Sequence, residues 1–209
     1  MVEIRKGLRH ILARPGVYDL FQTVVGANTW RKRVIEEFLS NKISANGLII
    51  DIGCGTSEIV SYLPDNVRYL GIDRNPSYIA RAKERYRYRN AQFLCQELAS
   101  GLPIEECKAD AVLAIGIIHH LEDKECIDLF QMAKKTLRPG GFFLALDPVY
   151  HQPQSVIARY IISKDRGKAV RTTEQYLSLY AKEFAQVDYH IDVHPLRIPY
   201  TGIVSSCRA

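Results

Sequence analysis

The stretch Leu48-Ile49-Ile50-Asp51-Ile52-Gly53-Cys54-Gly55-Thr56 constrains the fold of this chain more than any other. An apolar run passes into a glycine turn with no polar spacer, which is how a buried parallel strand delivers its C-terminal end to a ligand. Gly53 and Gly55 have no Cβ, so the backbone can turn sharply and a ligand can lie directly against it. A second apolar run, Tyr69-Leu70-Gly71-Ile72, ends in Asp73, twenty residues beyond Gly53. A carboxylate there can accept both hydroxyls of a ribose resting on the first turn. Strand, glycine turn, helix, strand and acid describe an adenosine-binding half-site.

The glycines choose between two ligand classes. A dinucleotide site uses G-x-G-x-x-G, whose third glycine allows close helix packing near the pyrophosphate. Here the third position is Glu58, and a negative side chain at that place argues against NAD or FAD. S-adenosylmethionine has no phosphate, so a short D-x-G-x-G turn suffices. The segment resembles motif I of the class I S-adenosylmethionine-dependent methyltransferases, often written DIGCGTG. Ser57 replaces the last glycine of that pattern, a departure expected to cost little at a helix start. Taken alone, the motif also fits an ordinary strand–turn–helix of another α/β protein.

Three further segments extend the resemblance. Residues 109–121, ADAVLAIGIIHHL, are similar to the family's fourth-strand motif, FDxVxxxxxxHHL. Leu137-Arg138-Pro139-Gly140-Gly141-Phe142-Phe143-Leu144 is similar to its LkPGG turn into the fifth strand. Glu97, after Phe93-Leu94-Cys95, sits where relatives carry an acid beside the adenine amino group. The four motifs cover roughly residues 46–147. The resemblance implies an α/β, Rossmann-like, doubly wound sheet of seven strands, mostly parallel with an antiparallel last strand, and S-adenosylmethionine as cofactor.

At 209 residues the chain is long enough for one sizeable core and too short for two comfortable ones. A single domain is expected, with a helical cap (1–45), a cofactor-binding core (46–147), a substrate-side insertion (148–184) and a final strand pair (185–209). Within the cap, Ile4, Leu8, Ile11 and Leu12 recur at helical spacing and Pro15-Gly16 breaks the pattern. Helices are then expected over 17–25 and 30–39, the latter turning Val34, Phe38 and Leu39 to a core. Strands are predicted at 48–52, 68–72, 92–95, 111–115 and 141–147. Helices are predicted from about 57, at 76–87 and at 123–136, an alternation that gives a parallel sheet. Residues 153–162 and 172–184 read as helices, and 187–193 and 198–206 as strands.

No apolar run approaches the eighteen or more residues of a membrane span, and the first residues do not resemble a signal peptide. Five cysteines without a C-x-x-C pair suggest reduced thiols and a cytoplasmic location. Cys54 is explained by its place in the turn, without nucleophilic chemistry. The net charge of +5 is modest. Basic residues from Arg81 to Arg89 read as a solvated helix, with an anionic partner such as nucleic acid as the alternative. The sequence leaves the oligomeric state open.

Within the resemblance, Asp73 and the adjoining Arg74 are expected at the ribose, and Asp51, Gly53, Cys54 and Gly55 at the methionine end. Glu97 and Leu98 should border the adenine, and Ile115 and Gly116 the sulfonium. Tyr18 is the candidate for closing the site from the N-terminal side, with Arg31 next, and Tyr18 fits a core position equally. His119 and His120 lie just past the fourth strand, where open α/β sheets place ligands. His119 is the candidate catalytic residue, an imidazole that could take a proton from an acceptor hydroxyl, and His120 is structural. A pair that merely shapes the turn is the alternative. His151, Arg166 and Arg171 are candidate substrate residues, the arginines as a bidentate clamp on a carboxylate or phosphate. A surface loop pairing Arg166 with Asp165 fits that segment as well. A metal site from His119, His120 and His151 lacks acidic partners at ligand spacing, and none is expected.

Methyl transfer to a small-molecule acceptor, through a hydroxyl, is the leading function. RNA or protein methylation is the alternative. The N/D-P-P-Y/F motif of amino-group methylation is absent after the fourth strand, where Gly116-Ile117-Ile118-His119 stands. A non-catalytic module that only binds the cofactor is a third reading.

Overall fold

The computed structural model describes residues 15–39, 42–97, 108–165, 167 and 169–208. Two helices, α1 (Pro15–Val24) and α2 (Ala27–Leu39), precede β1 (Leu48–Ile52). A 3-10 turn (Glu58–Tyr62) leads to β2 (Arg68–Asp73), α3 (Pro76–Arg85) and β3 (Ala91–Cys95). β4 (Ala109–Ile115), α4 (Asp123–Thr136) and β5 (Leu137–Pro148) complete the alternating part. Helices α5 (Val156–Ser163) and α6 (Thr173–Tyr180) then precede β6 (Gln186–Asp192) and β7 (Gly202–Arg208). The seven strands lie in the order β3-β2-β1-β4-β5-β7-β6. β1 to β5 are mutually parallel, and β7 runs antiparallel to both β5 and β6. This is the sheet that the resemblance implied.

Successive strand residues point to opposite faces, so each buried strand feeds two cores. Leu48, Ile50 and Ile52 of β1 join Val112 and Ala114 of β4 on the face covered by α4 and α6. There Phe130 packs on Phe143, Tyr180 and Phe184 with ring centroids 5.0–5.7 Å apart. Ile49, Ala111 and Leu113 face the other way, against α2 and α3. Trp30 of α2 lies over Gly202, where an added Cβ would overlap the indole. Its Nε1 donates to Asp192 Oδ2 at 2.6 Å, tying α2 to the far end of the sheet. Gly202→Ala is therefore expected to cost about 1–3 kcal/mol by overpacking, seen in thermal unfolding as a drop in Tm of about 2–10 °C. An unchanged Tm would show that the tryptophan yields freely.

Several sequence boundaries shift for local reasons. The helix expected from about 57 is only the 3-10 turn. Pro64 forces the preceding Leu63 into an extended conformation (φ −88°, ψ 146°), and the helix cannot continue. Pro15-Gly16 opens α1 instead of merely ending a helix before it, since proline suits a first helical turn. Helix α5 begins at Val156, later than 153, and β7 at Gly202, later than 198. β5 starts at Leu137, with a register shift opposite Ala109 and Ala111 that accommodates the Pro-Gly-Gly turn. Thr172 caps α6: its Oγ1 accepts from Gln175 N, and Gln175 Oε1 accepts from Thr172 N. The stripe Ile4, Leu8, Ile11 and Leu12 lies outside the described residues. Among the described residues, no helix is long and apolar enough to cross a membrane.

Candidate functional site

β1, β2 and β4 end at one edge of the sheet, and the loops leaving them form the candidate site. After Ile52 the chain turns through Gly53 (φ 71°) and Gly55 (φ 55°), left-handed conformations that L side chains resist. Gly53 N and Cys54 N both donate to Ile72 O, at 2.8 and 3.1 Å. Gly55 N donates to Asp73 Oδ2 at 3.0 Å, and Asn75 N to Asp73 Oδ1 at 2.7 Å. Asp73 thus fastens the first turn to the start of α3. A Cβ on Gly53 would run into Ile117, whereas one on Gly55 would meet nothing within 4 Å. Gly55 borders open space.

Ser57 is also left-handed, at φ 58°, the conformation a glycine would supply. The departure from the family pattern was expected to cost little. A side chain in this conformation instead costs about 1–2 kcal/mol.

Asp51, at the end of β1, is 1 % exposed. Tyr69 Oη donates to its Oδ2 at 2.6 Å, while Oδ1 has no partner among the described residues. Burial pushes this carboxyl up to about 7, against the Tyr69 hydrogen bond and the nearby Arg31 charge, which both pull it down. An orphaned buried carboxylate oxygen is a place for a cationic ligand group. Burial, then the Asp51 charge, holds the Cys54 thiol well above its ordinary range, so it is no nucleophile.

Other expected residues gather at the same edge. Ile115 ends β4, and Gly116 (φ 71°) donates its N–H to Leu146 O at 2.7 Å. Gln96 N donates to Asp73 O at 3.0 Å, bringing the end of β3 and the exposed Glu97 alongside β2. Arg74 is half-buried next to Asp73. Leu98, Arg166 and the side chain of Tyr18 lie outside the described residues. The N-terminal contact that the structure does show comes from Asp19, one residue on. Its Oδ1 accepts from Thr56 Oγ1 at 2.7 Å and its Oδ2 from Arg81 Nε at 2.9 Å, so α1 is pinned to both the glycine turn and α3.

Beyond β4 the geometry departs from the sequence expectation. His119 is 5 % exposed. Its Nδ1 lies 2.6 Å from Asp147 Oδ1 and its Nε2 3.1 Å from Asp165 Oδ1, so both ring nitrogens meet carboxylates. Burial alone would lower its pKa, but the hydrogen bonds to Asp147 and then Asp165 outweigh it and raise it to about 9. In this arrangement His119 is a doubly donating cation near neutral pH, not a free base poised to accept a proton. Asp165, Gly167 and Ala169 form a strap across it: Ala169 N donates to His119 O at 3.0 Å, and a Cβ on Gly167 would collide with the imidazole.

Arg171 does not project as a clamp. It is 7 % exposed and donates to Asp123 Oδ1 and to the carbonyls of Ile118, Leu121 and Ala169, at 2.6–3.2 Å. The Ile118 and Leu121 carbonyls belong to the turn carrying His119 and the Ala169 carbonyl to the strap, so the arginine ties the two together. His151 Nδ1 is 3.1 Å from Thr173 Oγ1, at the start of α6. Asp19, Asp147 and Asp165 are not among the site residues that the sequence points to. No local pattern marks any of them.

Open space at Gly55, the left-handed turn, the orphaned Asp51 oxygen and the acid at the end of β2 fit S-adenosylmethionine. Comparison with known proteins agrees. Residues 49–141 match the family model described as a methyltransferase domain. The mouse tRNA (carboxymethyluridine(34)-5-O)-methyltransferase ALKBH8 is 28% identical over 152 residues, covering 68% of this chain and 22% of its own length. The chain therefore spans about a fifth of that curated relative. The pyocyanin biosynthetic protein PhzM superposes with a TM-score of 0.74 at 17% identity, covering 98% of this chain and 62% of the other. The mitomycin 7-O-methyltransferase MmcR follows at 0.68 and 18%, covering 93% and 58%, and both show a shared fold. With the glycine turn, the acid after β2 and the sheet order all in place, residues 49–141 carry a methyltransferase domain and the chain has the fold of the class I S-adenosylmethionine-dependent methyltransferases.

Proposed function

We propose that this chain transfers a methyl group from S-adenosylmethionine to a hydroxyl of a small molecule. The observation that carries the reading is the turn from Gly53 to Gly55, left-handed, fastened to Asp73 and open at Gly55. When bound, S-adenosylmethionine supplies an electrophilic methyl group on a sulfonium. Asp73 would accept the ribose hydroxyls with Arg74 beside it, and Asp51, Cys54 and the glycines would hold the methionine end. Glu97 and Leu98 would border the adenine, Ile115 and Gly116 the sulfonium. The protein's task is to bring the acceptor into line and to exclude water. Tyr18, His151 and Arg166 remain candidates for enclosing the acceptor. Arg171 would serve it only through the turn that it ties to the strap.

A small acceptor is favoured because Asp165, Gly167 and Ala169 close over the turn that follows β4. The basic face of α3 is also partly neutralised, Arg81 pairing with Asp19 and Arg85 with Glu58. RNA methylation is the second reading, favoured by the 28% identity to a tRNA methyltransferase.

Incubation with methyl-labelled S-adenosylmethionine, offering a small-metabolite extract, total tRNA and protein in parallel, separates the readings. Label in the low-mass fraction is expected. Label in tRNA would replace the proposal with the second reading, and cofactor binding without any transfer would make the chain a binding module. His119→Ala is expected to lower turnover more than cofactor affinity, compared by steady-state kinetics and calorimetry. Unchanged kinetics would remove His119 from the mechanism.

A further inference from the structure

The sequence offered no acidic partner for the histidines after β4, but the fold supplies one. His119, His120 and Asp165 each present a ligand atom, and the three atoms lie within 4.8 Å of one another. We propose that these three side chains form a binding site for one divalent transition-metal ion, with Asp147 as the positioning carboxylate behind His119.

Four observations support it, and none depends on the cofactor. Two imidazoles and one carboxylate are the donor set that borderline ions such as Zn2+, Co2+ and Fe2+ select, whereas Mg2+ and Ca2+ prefer oxygen alone. The Nε2–Oδ1 separation of His119 and Asp165 is 3.1 Å. Two donors each about 2.1 Å from one ion are about 3.0–3.4 Å apart at angles from square to tetrahedral. The existing edge is thus already at coordination spacing. Behind it, Asp147 Oδ1 lies 2.6 Å from His119 Nδ1, the carboxylate–histidine relay that orients metal-binding imidazoles. That contact leaves Nε2 as the ligand atom, and the ion takes the place of the Nε2 proton now shared with Asp165, which is released to solvent.

The last observation is rigidity. The His119 backbone N–H donates to the same Asp147 oxygen at 3.1 Å. Arg171 holds the turn from below, and Gly167 N donates to Asp165 Oδ1 at 2.8 Å. Two of the three ligands are fixed before any ion arrives. The half-buried His120, whose ring centroid is 4.2 Å from that of His119, completes the triad by rotating toward them. Three protein ligands leave positions for water or for an acceptor oxygen. The site neighbours the end of β4, since a Cβ on Gly116 would stand 4.0 Å from His119 Cε1.

The test titrates the chelator-treated full chain with Co2+ and Zn2+, without S-adenosylmethionine or acceptor, by calorimetry and by the visible absorption of Co2+. One ion per chain is expected. His120→Ala and Asp165→Asn should each weaken binding at least tenfold, and Asp147→Asn by about 10–100-fold. His194→Ala, on an exposed loop, should leave binding unchanged. Circular dichroism of each variant confirms that it is folded. Absence of Co2+ and Zn2+ uptake, or equal affinity in the parent and in folded His120→Ala and Asp165→Asn, would overturn the proposal and leave His119 a cation bridging two carboxylates. Because no methyl transfer is measured, this outcome is independent of the proposed function.

Discussion

Asp73→Ala is expected to weaken S-adenosylmethionine binding by about 100-fold or more, as read by calorimetry. Two effects add. Each hydrogen bond from a ribose hydroxyl to an ionised acceptor contributes about 1.5–3 kcal/mol, and the substitution removes the acceptor for both. It also releases Gly55 N and Asn75 N, which Asp73 holds at 3.0 and 2.7 Å, so the turn loses its attachment to α3. Asp73→Asn separates the two. The amide oxygen can retain a backbone N–H, while the charge is gone, so its affinity should fall between those of the parent and the alanine variant. Parent-like affinity in Asp73→Ala would remove the ribose from the end of β2.

The second large effect depends on pH and belongs to Asp51. Its folded-state pKa stands near 7, raised from 3.8, so the empty native state holds this proton more tightly than the unfolded chain. The associated stability is complete below about pH 4 and is lost as pH rises to about 7, amounting to about 4 kcal/mol at most. Binding runs in the opposite direction. A cationic ammonium beside Asp51 favours the ionised carboxylate, so affinity for S-adenosylmethionine should rise about tenfold per pH unit below 7 and then level off. Calorimetry between pH 5 and 8 in buffers of different ionisation enthalpy would show one proton released on binding at the acid end. Asp51→Asn should flatten both the stability and the affinity profiles. A slope surviving in that variant would move the titration to another group.

The glycine turn and the acid that fastens it were legible because their signals are local. Buried parallel strands read as continuous apolar runs, and a left-handed turn reads as glycine. Asp73 announces itself as the polar residue that ends such a run. The shortened helix after β1 is also written in the sequence, in Leu63-Pro64. The region after β4 was not legible, because its chemistry lies in pairings between distant segments. Arg171 looks the same in sequence whether it faces solvent or, as here, a carboxylate 48 residues away. His119 reads as a free base until Asp147 and Asp165 are brought to its two nitrogens by β5 and the strap. Asp19 gave no sign at all, since the contacts that matter, Thr56 and Arg81, become neighbours only once α1 lies across the crevice.

That last contact bears on kinetics. One carboxylate joins α1 to the glycine turn and to α3 at once, which makes Asp19 a bolt at the rim. Entry and escape of a nucleoside past this rim would be timed by how often the bolt slips, while the strands beneath stay still. Residence time and equilibrium affinity would then answer to different residues.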